Sequence, residues 1–256
     1  MVNLLVILDG ATDPAPSTLE EASTPGLDRL AAEGETDWLD LLDPGVPVGS
    51  ETAIASLLGW RPDGPVDRAL VEAAARGLEP APGERVWRVD LEHGHRLLVF
   101  GQGDSPRVDA AGAMRVWPDG LRPPRILDAC TVVVGAAGAA TGLARLMGAT
   151  AVVPPGATGR PGSNLAAKRT AALAAIDARA DRVVVHVGGA DEAGHAGDRI
   201  AKIAVLEQAD LEIVAPLAEL VRARGGEIQV CADHGCDPAT RAHIGGPVPQ
   251  IRWSRG

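Results

Sequence analysis

EIQVCADHG, residues 227–235, runs from an apolar strand-like stretch straight into Asp233 and His234, then turns at a glycine. A carboxylate and an imidazole at the end of a buried strand are costly unless they grip something charged. Other runs end in a similar way. NLLVIL (3–8) stops at Asp9 and Gly10, and RVVVHVGG (182–189) is followed at once by DEAGH (191–195). TVVVG (131–135) and ATAVV (149–153) read as two more strands buried on both faces. Helical stretches fall between them. One covers 23–34, with Ser23 or Thr24 as N-cap, Pro25 in the first turn and Gly34 as the stop. Others cover 50–59, opening at Ser50, then 138–147 and 164–178, and a long region, 198–224, that Pro216 is expected to kink or split. Strand and helix alternate, which predicts an α/β fold with a mostly parallel sheet and helices on both faces.

Residues 79–120 break this rhythm. RVWRVDLEHGHRLLVFGQGD reads as a hairpin turning at Glu92–His95. A piece this short rarely folds alone, so it is expected to be a small β-rich insertion, or the remnant of a cap, on a core made of 1–78 and 121–256.

Of the 256 residues, 46% are hydrophobic, enough for a full core, but only 2% are aromatic. The stacking platform common in single-strand nucleic-acid binders is missing. A net charge of −10 argues against nucleic acid and anionic membranes as partners. The three cysteines (130, 231, 236) form no disulfide framework, and MVNLLVILDG has no basic leader before its apolar run stops at Asp9. A soluble, cytoplasmic enzyme acting on a small molecule is expected. Nothing in the sequence speaks to oligomeric state.

Ligands of open α/β sheets collect at the carboxyl ends of the strands. Asp9, Asp191 with His195, and Asp233 with His234 all belong there; His243 follows in HIGGPVP, and Ser50 opens a helix. Taken singly, Asp9-Gly10 is a turn, Ser50 an N-cap and Asp191 a helix cap. Together they are an oxygen and nitrogen donor set suited to Zn²⁺ or Mn²⁺, too large for one ion and right for two. A serine there, at a helix N-terminus, could act as a metal-activated nucleophile toward phosphate.

In order along the chain, ILDG, STPGLDRLAAEG, VGSETAIASLLGW, PPGATG, GGADEAGHAGD, ADHG and HIGGPVP resemble the alkaline phosphatase superfamily, nearest to the archaeal type of cofactor-independent phosphoglycerate mutases. The resemblance runs from residue 4 to about residue 251. It implies an alkaline-phosphatase-like three-layer sandwich, two divalent metal ions and a serine that is transiently phosphorylated. By motif, one metal would take Asp9, Ser50, Asp233 and His234, and the other Asp191, His195 and His243. The segment between the serine and the later core is short here, roughly 62–125, and WRVD keeps an Arg (Arg88) but has Asp90 in place of the family's Asn. Glu51 replaces the Asp that follows the serine, and Val-Gly-Gly stands where a Lys often precedes DEAGH.

A shortened cap opens a phosphoserine to water. The function expected is therefore two-metal phosphoryl transfer through Ser50, as a phosphatase or phosphotransferase on a small phosphorylated metabolite. The alternatives are a compact phosphomutase and a non-catalytic metal-binding homologue. Arg88, Arg160 and Lys168 are the cations expected to contact substrate. Cys231 is expected to be core packing.

Overall fold

The computed structural model describes residues 1–92, 95–106, 113–117 and 119–255. Its centre is a seven-stranded sheet. Strand β1 (Val2–Leu8) lies between β8 (Arg182–Val187) and β9 (Gly226–Ala232), and both run parallel to it. Outside β8 come β6 (Thr131–Val134) and β7 (Thr150–Val152), also parallel. Outside β9 the chain reverses. β12 (Val248–Arg255) is antiparallel to β9 and to the edge strand β2 (Glu35–Leu39). These two strands are the antiparallel addition to an otherwise parallel sheet.

Register does the positioning. Leu8 lies level with Val187 on one side and Ala232 on the other, so β1, β8 and β9 end in one row. The next residues, Asp9 and Asp233, are thereby delivered side by side. The strands that carry them are apolar without alternation because both sheet faces are covered.

Helices pack in two groups. α3 (Ser50–Leu57), α4 (Arg68–Ala75) and α5 (Ala139–Met147) touch one another, and α5 lies against β6 and β7. The other group is α2 (Pro25–Glu33), α6 (Leu165–Asp177), α8 (Arg199–Ala209) and α9 (Ala215–Arg224), gathered round a π-helical turn, Asp210–Val214. Two further helices, α1 (Thr18–Glu21) and α7 (Gly189–Ala196), pack on α8. Two helix layers round one sheet make the three-layer α/β architecture expected from the alternating pattern.

Pro216 splits the long helical region as expected, but by a route the sequence did not show. It cannot donate to the carbonyl four residues back, and the helix widens into the π turn just before it. That turn aims Asp210 at α2. Its carboxylate accepts from Gly26 N (2.8 Å) and Leu27 N (2.7 Å). The N-cap of α2 is Thr24, whose side chain makes no capping bond, so the job expected of Ser23 or Thr24 is done by a residue far along the chain.

Residues 79–120 hold β3 (Arg85–Leu91), β4 (Arg96–Gly101) and β5 (Ala113–Val116), a separate antiparallel sheet ordered β4-β3-β5. The tip of the expected hairpin, residues 93–94, lies outside the described residues. Val86 of this sheet packs on Leu70 and Ala73 of α4, with Leu98 and Phe100 alongside. The chain leaves and re-enters the core at a bridge between Val66 and Leu121. α4 in turn sits so close to α5 that a Cβ at Gly142 would lie 2.1 Å from the Val71 carbonyl. Among the described residues no helix is long and apolar enough to cross a membrane, and all three cysteines are free thiols.

Candidate metal centre

Two donor sets form where the row of strand ends meets α3, α7 and a short ribbon. The ribbon is β10 (Gly235–Asp237) paired with β11 (Ala242–Ile244), and it sets Cys236 opposite His243. In the first set, donor atoms of Asp9, Asp233 and His234 lie within 4.8 Å of one another; in the second, those of Asp191, His195 and His243 do. Asp191 and His195 come from one face of α7, four residues apart, and not from a loop. The His234 and His243 rings stand 4.1 Å apart between centroids, so the two sets adjoin.

Ser50 belongs to the first set. Its hydroxyl is 3.4 Å from Asp9 Oδ1 and 3.2 Å from His234 Nε2. It opens α3, at the positive end of the helix. Thr52 fixes the turn before it, donating to the carbonyls of Pro47 (2.8 Å) and Gly49 (2.9 Å).

Hydrogen bonds around the rings show why cations fit. The Nδ1 atoms of His234, His195 and His243 face the carbonyls of Gly235 (3.1 Å), Arg241 (3.0 Å) and Val48 (3.2 Å). A carbonyl only accepts, so each Nδ1 carries the proton and each neutral ring turns an Nε2 lone pair inward. His195 Nε2 and His243 Nε2 then lie 2.8 Å apart, with Asp191 oxygens 3.4 Å from each. His234 Nε2 is 3.5 Å from both Asp9 Oδ1 and Asp233 Oδ2. Asp191 Oδ1 and Asp233 Oδ2 are buried without a hydrogen-bond partner. Lone pairs and carboxylate oxygens converge on two points, an arrangement that a divalent cation would satisfy.

Titration behaviour agrees. Burial pushes the Asp9 carboxyl well above its usual range, and the charges of Asp233 and Asp191 push it further. Burial also raises Asp191, but the surrounding histidines, His243 first, outweigh it and hold the group at about 2. Carboxylates this close repel one another unless positive charge lies among them.

The cavity beside Ser50 measures about 230 Å³, and Asp9, Asp191 and His186 share its wall. His186 was not anticipated. It sits in the apolar run RVVVHV, where its only signal is being the one polar group inside a buried strand. Its Nε2 lies 3.2 Å from Asp9 Oδ2, and burial lowers its pKa to about 4.

None of the three cations expected to contact substrate lines this cavity. Arg88 is buried in the small sheet, paired with Glu72 and with Asp90 (2.9 Å). Arg160 is exposed on the loop before α6. Lys168 is fully buried and spends its ammonium on the His186 carbonyl, 2.8 Å away. Arg68, Arg76 and Arg96 line the cavity in their place, from α4, its C-terminal end and β4. Arg68 is tied to Glu51 at 2.9 Å and to Glu72 at 3.4 Å. Arg76 and Arg96 form no ion pair among the described residues. Sequence reading overlooked all three because nothing local distinguishes them from surface arginines.

An α/β sandwich with paired carboxylate and histidine sets at its strand ends is the architecture of alkaline-phosphatase-like metalloenzymes, and the Metalloenzyme superfamily model matches residues 1–256 in full. The chain belongs to that superfamily. It is 26% identical to 2,3-bisphosphoglycerate-independent phosphoglycerate mutase 1 of Archaeoglobus fulgidus, covering 97% of this chain and 88% of that protein. Its structure resembles that of the PH0037 protein of Pyrococcus horikoshii, with a TM-score of 0.82 and 27% identity over 100% of this chain and 86% of that one. It shares its fold with the alkaline phosphatase of the Antarctic bacterium TAB5, with a TM-score of 0.53 and 12% identity over 99% of this chain and 90% of that one. The alignment with the Archaeoglobus mutase runs over 360 positions against 256 residues here, so that relative carries segments with no counterpart in this chain.

Proposed function

We propose that the chain transfers phosphoryl groups from a small phosphorylated metabolite through Ser50. The observation that carries this reading is the placement of the Ser50 hydroxyl: at a helix N-terminus, in a cavity wall, against Asp9 and His234 and beside a second donor set. Asp9, Ser50, Asp233 and His234 would hold one divalent ion, and Asp191, His195 and His243 the other. Zn²⁺ and Mn²⁺ both suit this mixture of carboxylate and imidazole. Bound there, such a pair lowers the pKa of a serine hydroxyl and neutralises charge on phosphoryl oxygens.

The chain's own groups supply the rest. Ser50 Oγ attacks phosphorus, forming an Oγ–P bond as the P–O bond to the metabolite's alcohol breaks, and the alcohol leaves with a proton. Backbone N–H groups at the start of α3 face the phosphoryl oxygens. Water or a second hydroxyl then attacks phosphorus and returns Ser50 to its free state. If water attacks, the enzyme is a phosphatase, and the short cap favours this outcome.

Arg76 and Arg96 favour the second reading, a phosphomutase. Unpaired guanidinium groups in the cavity wall suit a metabolite with a further anionic group, held while its phosphate is returned to another hydroxyl. The names of the relatives point the same way.

The test is a panel of phosphorylated metabolites, 3-phosphoglycerate among them, scored for both free phosphate and isomer. Acid-quenched protein should carry a phosphoryl group on the Ser50 peptide. Ser50→Ala should lose turnover and keep its metals. Full activity in Ser50→Ala would end the phosphoserine reading. Isomer without free phosphate would select the mutase.

A further inference from the structure

Only two of the 24 lysines and arginines in this chain are lysine, Lys168 and Lys202, and both are fully buried. Everywhere else positive charge is arginine. The Lys202 ammonium, on α8, donates to Cys236 O (2.6 Å), Thr12 O (3.3 Å) and Asp13 Oδ2 (3.0 Å). Three donors meet three acceptors, a fit that suits a compact ammonium and not a flat guanidinium. Asp13 is itself anchored, accepting from the Thr18 backbone (2.7 Å) and hydroxyl (2.8 Å).

These acceptors are the hinge points of both donor sets. Thr12 lies three residues past Asp9, and Cys236 lies two past His234 and directly across the ribbon from His243. Thr12 O also accepts from Cys236 N (2.9 Å), so the loop after β1 is zipped to β10 and Lys202 clasps the zip. α8, which carries Lys202, packs on α7, which carries Asp191 and His195. Lys168 does a lesser version of this for β8. Its one bond, to His186 O, holds the strand end from which Asp191 follows.

We propose that Lys202 is a positioning residue for the metal centre, its ammonium fixing the loop after β1 and the β10–β11 ribbon at the spacing the two donor sets require, with Lys168 steadying the end of β8. This rests on the two-metal reading above. It differs from plain core stability in what it predicts. Removing the ammonium should loosen the grip on metal beyond any loss of fold.

Chelator-stripped wild type, Lys202→Met and Leu206→Ala are titrated with Co²⁺, reading the visible absorption band, while thermal unfolding of the metal-free proteins is followed by circular dichroism. Leu206 is buried on the same helix, in the main hydrophobic cluster, and has no polar group to hold either loop. We expect wild type to take up two equivalents, Lys202→Met to stay folded but bind Co²⁺ at least about tenfold more weakly with an altered band, and Leu206→Ala to lose thermal stability with wild-type affinity. A Lys202→Met protein within about threefold of wild type overturns the proposal. If Lys202→Met does not fold, Lys168→Met decides in the same assay: about tenfold weaker binding supports the proposal, and unchanged binding overturns it. Wild type that binds no Co²⁺ overturns the two-metal reading and this inference with it, whereas failure of the variants alone overturns only the inference.

Discussion

Gly10, next to Asp9, sits at φ +63°, and a Cβ there would lie 2.7 Å from Asp191 Cα and 2.8 Å from Asp191 Oδ1. Its own N–H donates to Asp233 Oδ1 at 3.1 Å. One residue without a side chain thus lets β1 and α7 approach closely enough for the two donor sets to adjoin. Gly10→Ala should displace Asp191 and weaken metal binding by at least about tenfold, ~1.4 kcal/mol, which a Co²⁺ titration reads directly. Lys168 gives a second prediction at this scale. Burial lowers its pKa to about 8 from the ordinary 10.5. Between those values the unfolded chain binds more protons than the folded one, so stability rises with pH across that window. The rise is at most about 3 kcal/mol at 1.36 kcal/mol per unit. Denaturant unfolding of metal-free wild type at pH 7.5 and pH 10 should show it, and Lys168→Met should flatten it. Equal slopes in the two proteins would refute the assignment.

Between elements, long-range side chains replace local signals. Asp210 caps α2 from the π turn, so Asp210→Ala should cost about 1–2 kcal/mol, read as a lower Tm, with metal content unchanged. The small sheet reaches Ser50 through a similar chain. Trp117, just past β5, lies under the guanidinium groups of Arg115 (3.7 Å), Arg88 (4.7 Å) and Arg68 (4.9 Å), and its Nε1 donates to Asp90 Oδ2 at 2.7 Å. Arg68 then ends on Glu51, the neighbour of Ser50. Trp117→Ala should release Arg68 and lower kcat/KM about tenfold, ~1.4 kcal/mol, with two metals still bound. What could be read in the sequence follows the same division. The clustering of Asp9, Ser50, Asp191, His195, Asp233, His234 and His243 was legible because Asp9 and Asp233 end apolar runs, Ser50 opens a helix, the remaining residues follow close behind such points in the sequence, and strand ends of a parallel sheet share one edge. Arg68, Arg76 and Arg96 were not, because their place depends on how a cap built from α4 and β4 tilts over that edge. The antiparallel strands β2 and β12 were missed as well: β2 is exposed along most of its length and carries no hydrophobic alternation. α1 was missed although Ser17 and Glu20 spell out a capping box.

Across the whole molecule the net charge of −10 and the anionic substrate proposed for the site pull in opposite directions. The conflict is local. Arginines from the cap line the cavity, while the chain as a whole carries 34 acidic against 24 basic residues, an excess that should keep unspecific polyanions off the surface. Raising the salt concentration should therefore weaken binding of a phosphorylated metabolite only modestly, a comparison of KM at low and high ionic strength being the check. The burial of both lysines carries a further consequence, for chemistry done on the protein and not by it. Neither of its two lysines offers an amine to solvent in the folded chain. Acylating reagents should reach either side chain only once the structure opens. Lysine-directed crosslinkers will be blind to any assembly these residues form while folded, and the rate of lysine acylation will instead count opening events.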